Sequence, residues 1–189
     1  MNKLKNRKLW LFAIVAITFF AALAFFFLTK GNKSVEVNKI SDSSIGLDFE
    51  ISKDFERMDQ EALKQMNPLF LYGFRPKDVD NVSCIVSQTK RPKPGFVSPE
   101  FLKTGTLEGI KKSNPDAKLE TWGEKDFGKE ASGALLEVFY TENEVEIKRV
   151  ELVATNDLRT TFAYCYSPKS LYSFYRSTFD KFISSIKIY

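Results

Sequence analysis

The chain has 189 residues, with 28 Lys and Arg, 24 Asp and Glu, two Cys and no His. The absence of His excludes catalytic centres that need an imidazole, such as a Ser-His-Asp triad, and also His-ligated zinc and haem sites. Two Cys are too few for a four-thiolate metal site or an iron–sulfur cluster, so we expect no resident metal or cofactor.

The positive net charge is concentrated at the N-terminus. Residues 1–33 contain six basic residues and no acidic one, so the remainder has 22 basic against 24 acidic residues. A nucleic-acid-binding domain usually carries its own basic patch, and a nearly neutral domain shows no such surplus. The composition therefore argues against a nucleic-acid partner.

An apolar run of 20 residues begins at Leu9 and ends at Leu28. As a helix it would be about 30 Å long, which matches the hydrocarbon core of a bilayer. More basic residues precede the run than follow it, so we expect residues 1–8 in the cytoplasm and the C-terminal part outside. The alternative is a cleaved signal peptide, because Ala22 and Ala24 form an A-x-A pattern, but the run is longer than a typical h-region.

This topology divides the chain into four parts. Residues 1–8 form a basic cytoplasmic segment, 9–28 a transmembrane helix in the plasma membrane, 29–43 a polar tether and 44–189 a single exported domain. The span makes the lipid bilayer the first expected partner. It also places both Cys residues where a disulfide is chemically permitted.

Alternating apolar residues predict strands in the first half of the domain. Residues 45–51 alternate between apolar and polar positions, and residues 69–74 and 82–90 have strand composition around a DVDN turn. The latter two segments therefore predict a hairpin. Ser98 followed by Pro99 predicts the start of a helix that continues to about Lys112.

The second half predicts antiparallel strands followed by a helix. Residues 117–166 contain strand-like segments separated by the turns TENE and TNDLR. Val150 and Leu152 alternate with Arg149 and Glu151, which is typical of a sheet with one covered and one wetter face. Ser167-Pro168 predicts the cap of a final helix, whose apolar stripe (Leu171, Tyr175, Phe179, Phe182 and Ile186) would pack on the sheet.

This order of elements predicts an α+β domain with an antiparallel sheet of about six strands and helices packed on it, an α/β/α sandwich, preceded by one transmembrane helix. The segments GLDFEISKDF, SPEFLKTGTLEGIKKSNPDAKLE, ASGALLEVFYTENEVEIKRVELVAT and TTFAYCYSPKSLYSFYRSTFDKFISSIKI resemble the PsbP-like fold. That fold occurs in photosystem extrinsic proteins, Ran-binding proteins and bacterial DcrB-type envelope domains. The resemblance implies an antiparallel sheet between helices and no shared catalytic residues. Metal binding does not transfer, because this chain lacks the His found in some members.

The strongest candidate for a binding site is the segment KRPKPGF. It places Lys90, Arg91 and Lys93 beside two prolines and Phe96, so a rigid loop would display charge and one aromatic ring. The alternative interpretation is a solvated connection between a strand and a helix.

Three other sets of residues have both a functional and a structural interpretation. The acidic residues Asp78, Asp80, Glu142, Glu144 and Glu146 could bind Ca²⁺ or act as paired carboxylates, but they lie in predicted turns without a calcium-loop pattern. The aromatic set (Trp122, Tyr164, Tyr166, Tyr172 and Tyr175) could stack on a sugar or peptide, or pack in the core. Cys84 and Cys165 lie in strand-like runs, and we expect buried free thiols in preference to a disulfide.

The features together favour a membrane-anchored extracytoplasmic domain with a non-catalytic binding or assembly role, and with an envelope protein or ligand as its partner. A second hypothesis is an envelope enzyme that uses carboxylates without His, such as a glycan hydrolase. A third is a pilin-like assembly subunit, although the processing site and helix Glu that pilins share are missing.

Overall fold

The computed structural model describes residues 36–128 and 131–189. The predicted transmembrane segment, from Leu9 to Leu28, lies outside these residues, as do the predicted cytoplasmic segment and residues 29–35 of the tether. In the described part of the chain, no helix is both long and apolar enough to cross a bilayer.

The described domain contains ten strands and three helices. In chain order these are β1 (Val37–Asp42), β2 (Leu47–Ser52), β3 (Phe55–Arg57), α1 (Gln60–Met66), β4 (Phe70–Pro76), β5 (Ser83–Lys90), α2 (Pro99–Ser113), β6 (Lys118–Asp126), β7 (Ala131–Glu142), β8 (Val145–Asn156), β9 (Arg159–Pro168), α3 (Lys169–Ser185) and β10 (Lys187–Ile188).

The strands form two antiparallel sheets. The larger sheet has seven strands in the order β3-β4-β5-β9-β8-β7-β6, and the smaller has the order β1-β2-β10. The α+β class, the β4–β5 hairpin and the antiparallel run from β6 to β9 are confirmed. The expected strand number of about six is wrong, because the short edge strand β3 completes a seven-stranded sheet. The second sheet was not predicted.

Helices lie on both faces of the large sheet. On one face, α3 contacts β8 and β9 and also reaches β2 of the small sheet. On the other face, α2 contacts β6, β7 and β8, while α1 contacts β4. The face under α3 is here called the disulfide face, because it carries Cys84 and Cys165, and the opposite face is called the ion-pair face, because it carries Arg149 and Glu151.

The structure confirms the expected start of one helix and corrects that of another. The start of α2 is as predicted, since the Ser98 side chain accepts a hydrogen bond from the Phe101 backbone N at 3.2 Å. Ser167 does not cap α3, because it belongs to β9 and the cap residue Pro168 has no side-chain hydrogen bond. Leu171 is also exposed, and the buried residues of α3 are Tyr172, Phe179, Phe182 and Ile183.

Local hydrogen bonds create elements that the sequence pattern did not reveal. Six residues of the predicted tether form β1, which pairs along β2 from Val37 opposite Ser52 to Asp42 opposite Leu47. The segment after β2 contains β3 and α1, and Asp59 caps α1 through hydrogen bonds from two backbone N atoms.

Cys84 and Cys165 form a disulfide, so the expectation of two free thiols is wrong. The two residues lie directly opposite each other in the β5–β9 register, and their Cα atoms are 4.0 Å apart. Both side chains are fully buried in the core of the disulfide face. Their spacing of 81 residues in the chain gave no information on which strands are neighbours.

Candidate functional site

The predicted binding loop begins where β5 ends. Lys90 is the last residue of β5 and lies opposite Arg159 of β9. The backbone N of Arg91 donates to Leu158 O at 2.9 Å, and Arg91 Nη1 donates to Asn156 O at 2.7 Å. These two bonds hold the start of the loop against the turn between β8 and β9.

The end of the loop is held by two further hydrogen bonds. Gly95 has φ of +130°, a conformation that favours glycine, and its backbone N donates to Asp157 Oδ1 at 3.1 Å. The Ser132 hydroxyl of β7 donates to Val97 O at 2.5 Å. Loop 91–97 is therefore fixed at both ends to neighbouring strands, and its shape does not depend on a ligand.

A cleft of about 510 Å³ lies between this loop, the β8–β9 turn and the end of β10. Apolar side chains project at its rim, where Phe96 is 84% exposed and Leu158 is 71% exposed. Val97, Ile188 and Tyr189 also line the cleft. Two large and mostly exposed apolar side chains at one cleft are typical of a surface that contacts a partner.

The structure places the four predicted loop residues in two groups. Arg91 and Phe96 line the cleft, whereas Lys93 of the same loop and Lys90 at the end of β5 are exposed without lining it. Sequence reasoning did not identify Leu158, Asp157 or Tyr189. A large apolar residue inside the polar turn TNDLR was a usable signal for Leu158, but no sequence pattern places Tyr189 beside this turn.

The polar groups of the cleft are used to hold its loops. Asn156 Oδ1 accepts from the backbone N of Leu158 at 3.0 Å and of Arg159 at 2.9 Å. The Thr155 hydroxyl is 3.0 Å from Arg159 O, to which it donates. The Asp157 carboxylate and the Ser132 hydroxyl are also engaged, as described above. The cleft therefore offers a partner a fixed shape and an apolar surface, since its polar groups already bond to its own loops.

The predicted acidic residues are all exposed; Asp78, Asp80 and Glu144 lie in turns, whereas Glu142 and Glu146 lie at the ends of β7 and β8. Asp80 pairs with Arg75 at 3.3 Å, and Glu146 pairs with Lys169 at 3.2 Å. Asp80 and Glu142 line a smaller cavity of about 290 Å³. In the described part of the chain, no group of three or more His, Cys, Asp or Glu side chains could hold a metal ion.

The predicted aromatic set does not form one site. Tyr172 and Tyr175 pack on Phe179 on the disulfide face, whereas Tyr164 contacts Tyr166 on β9, on the ion-pair face. Burial raises the pKa of Tyr172 to about 12 and raises that of Tyr164 further, so both phenols stay neutral at physiological pH. Trp122 lies on β6, with the Lys103 ammonium 4.6 Å from its ring centroid.

Comparison with known proteins identifies the fold. No protein-family model matches the chain, and no curated protein matches its sequence. The solution structure of cyanobacterial PsbP (CyanoP) from Synechocystis sp. PCC 6803 is similar, with a TM-score of 0.65 and 17% identity over 84% of this chain and 96% of that one. The crystal structure of LpqN of Mycobacterium tuberculosis, described as involved in cell envelope biogenesis, is also similar. Its TM-score is 0.56, with 12% identity over 82% of this chain and 92% of that one. The PsbP-like fold expected from the sequence is confirmed.

Proposed function

We propose that this chain is a single-pass membrane protein whose PsbP-like domain lies outside the cytoplasm and has a non-catalytic binding role in the cell envelope. The cleft beside loop 91–97 is its binding surface. One observation carries the proposal: the polar groups around the cleft hydrogen-bond to its own loops, while Phe96 and Leu158 remain exposed. This arrangement suits binding by shape and apolar contact.

The proposed compartment is supported by the disulfide and by the charge distribution. Disulfides persist in oxidising compartments, and the Cys84–Cys165 bridge joins two strands of the large sheet. The basic residues around the apolar run at 9–28 are concentrated on its N-terminal side, in the arrangement that retains this end in the cytoplasm. The envelope role of LpqN, which has the same fold, gives further support.

The non-catalytic role is supported by the chemistry that the chain offers. The chain has no His, and the residues of the cleft that the structure describes present no nucleophile paired with a base. The one carboxylate side chain that lines the cleft in the described residues, Asp157, accepts a hydrogen bond from the loop that it holds.

A photo-cross-linking amino acid in the full chain, in its own membranes, tests the binding role. We expect a discrete adduct from position 96 and from position 158. The matched control is position 174, since Phe174 is 78% exposed but lies on α3, away from the cleft. If neither cleft position gives an adduct while the chain retains its disulfide, the binding role is wrong.

Thiol labelling of whole cells tests the compartment. Cys84 and Cys165 are joined in a disulfide, so we expect that denaturation in a thiol-reactive reagent leaves them unlabelled until a reductant is added. The chain has no other Cys, so any labelling reports on these two residues. Two freely labelled thiols would contradict placement of the domain in an oxidising compartment. Cleavage of a C-terminal tag by protease added outside sealed cells gives an independent measurement of the topology.

A further inference from the structure

We infer that the cleft binds an acidic protein segment, which inserts an apolar side chain between the exposed side chains of Phe96 and Leu158. This inference rests on the binding role proposed above and adds the chemistry of the partner. It follows from the charges around the cleft and from its fixed shape.

The cleft lies beside a cluster of basic side chains that lack acidic partners. Lys90, Arg91, Lys93 and Arg159 come from β5, its following loop and β9. Within residues 36–128 and 131–189, none of the four forms an ion pair with a carboxylate. The two guanidinium groups donate instead to neutral acceptors: Arg91 to Asn156 O, and Arg159 to Gln88 Oε1 and Ser44 O.

Some basic residues elsewhere in the domain form ion pairs, although others, such as Lys64, Lys111 and Lys112, form none within the described residues. Lys53 is 2.9 Å from Glu36, Lys148 is 2.8 Å from Glu137, and Lys169 is 3.2 Å from Glu146. The cleft differs in that four basic side chains come together from β5, its following loop and the neighbouring β9, while Asp157 is the one carboxylate side chain that lines it in the described residues. Charge complementarity gives specificity and speeds association, so the fitting partner surface is negatively charged.

The apolar part of the cleft is fixed before any partner binds. The Arg91–Leu158 and Gly95–Asp157 hydrogen bonds join the loop that carries Phe96 to the turn that carries Leu158. A rigid pair of exposed apolar side chains loses little conformational entropy on binding, and buried apolar anchors at the centre of an interface supply most of its affinity. One inserted side chain, flanked by acidic residues, matches both features of this surface.

The shape of the cleft favours a protein over a lipid surface. A bilayer is flat on this scale, whereas a cavity of about 510 Å³ accepts a projecting side chain.

Charge reversal combined with cross-linking tests the inference. The full chain carries the photo-cross-linker at position 158, together with Lys90→Glu and Lys93→Glu. The matched control carries Lys111→Glu and Lys112→Glu, which make the same change in net charge at exposed positions of α2. We expect the first pair to lower the adduct yield roughly fivefold or more, and the control pair to leave it unchanged.

The remaining outcomes separate this inference from the proposed function. An adduct whose yield is equal in both variants leaves the binding role intact and overturns the acidic partner. The same holds if the adduct adds only the mass of a lipid, or if the cross-linked partner peptide is neutral or basic. Absence of an adduct from both position 96 and position 158, in chains without the charge reversals, overturns both proposals. An intact disulfide in each variant confirms that the domain remains folded.

Discussion

The two faces of the seven-stranded sheet are both buried, but they are stabilised by different chemistry. On the disulfide face, Cys84 and Cys165 lie among apolar side chains, and Phe49 makes edge-to-face contacts with Phe74 and Phe182 at 5.9 and 5.6 Å between ring centroids. On the ion-pair face, a charged pair lies under aromatic rings. Strand β8 contributes side chains to both faces of the sheet. Its alternation of polar and apolar residues therefore indicates which face carries charged side chains, and it does not indicate which face is exposed to solvent.

The charged pair on the second face is Arg149 and Glu151. Arg149 Nη2 lies 2.8 Å from Glu151 Oε2, and the guanidinium carbon lies 3.7 Å from the ring centroid of Tyr164. Desolvation raises the pKa of Glu151, which is 1% exposed. Arg149 Nε and Glu151 Oε2 lack an aligned hydrogen bond within the described residues. The pair is therefore held by charge attraction in a poorly solvated site, and neither member tolerates loss of the other.

The largest expected effect is at this pair. Glu151→Gln preserves the size of the side chain but leaves the Arg149 charge buried without a counter-charge, which costs about 4 kcal/mol of the free energy of unfolding. Urea denaturation of the full chain in mild detergent measures this change. The double variant Arg149→Met with Glu151→Leu removes both charges, so its stability should lie close to that of the wild type.

These two variants separate charge from packing on the ion-pair face. If Glu151→Gln leaves the free energy of unfolding unchanged, the site is solvated and the two faces differ less than the structure indicates. If the double variant is as unstable as Glu151→Gln, side-chain shape governs this face, as it does the other.

The next effect belongs to the disulfide face. Replacing Cys84 and Cys165 with Ala removes a bridge that spans 81 residues of chain, and should cost about 3 kcal/mol, chiefly through the greater freedom of the unfolded state. Urea denaturation with and without a reductant provides the measurement. A reductant should destabilise the wild type and leave the Ala variant unchanged; equal behaviour of both proteins would show that the bridge adds nothing.

A third prediction concerns the part of the ion-pair face that α1 covers. A Cβ at Gly73 would lie 2.5 Å from a Leu63 side-chain carbon and 2.9 Å from the Met58 sulfur, so Gly73→Ala should cost about 2 kcal/mol by overpacking. The matched control is Gly123→Ala on β6, where a Cβ would contact nothing within 4 Å. The control should be neutral or slightly stabilising in the same denaturation assay. Equal effects would contradict the packing of α1 on β4.

The sequence was informative where local patterns determine structure. The Ser98 cap, the β4–β5 hairpin and the strand order from β6 to β9 depend on neighbouring residues, and each was predicted. The Asn143–Glu144 turn between β7 and β8 has positive φ at both residues, which suits the hairpin expected from TENE.

Features that depend on distant contacts could not be predicted. The disulfide requires β5 and β9 to be neighbours, and burial of Glu151 requires the opposite face to be covered as well. The same limit applies to the cleft. Its loop was identified from KRPKPGF, but the partner turn at Leu158 and the end of β10 join it only through the fold.

The smallest expected effect lies at the rim of the disulfide face, where the two sheets meet. Asp42 of β1 accepts hydrogen bonds from the Ser44 hydroxyl and from the Tyr72 hydroxyl of β4, each at 2.6 Å. These bonds, with that from Ser44 the larger cause, lower the pKa of Asp42 below its ordinary value of 3.8. The stabilisation is therefore present above pH 3.8 and is lost as the pH falls through the lower pKa of the folded state.

Substitutions at this contact measure its contribution. Because Asp42 is only partly buried, we expect Asp42→Asn to reduce stability by less than about 1 kcal/mol at pH 6, and the difference from the wild type to shrink as the pH falls below 3.8 and through the lower pKa of the folded state. Tyr72→Phe retains the Ser44 bonds and should remove less than half of this pH-dependent difference. A difference that grows on acidification would show that the folded state stabilises the protonated form of Asp42. That result would contradict the stabilising role assigned to the hydrogen bonds of its carboxylate.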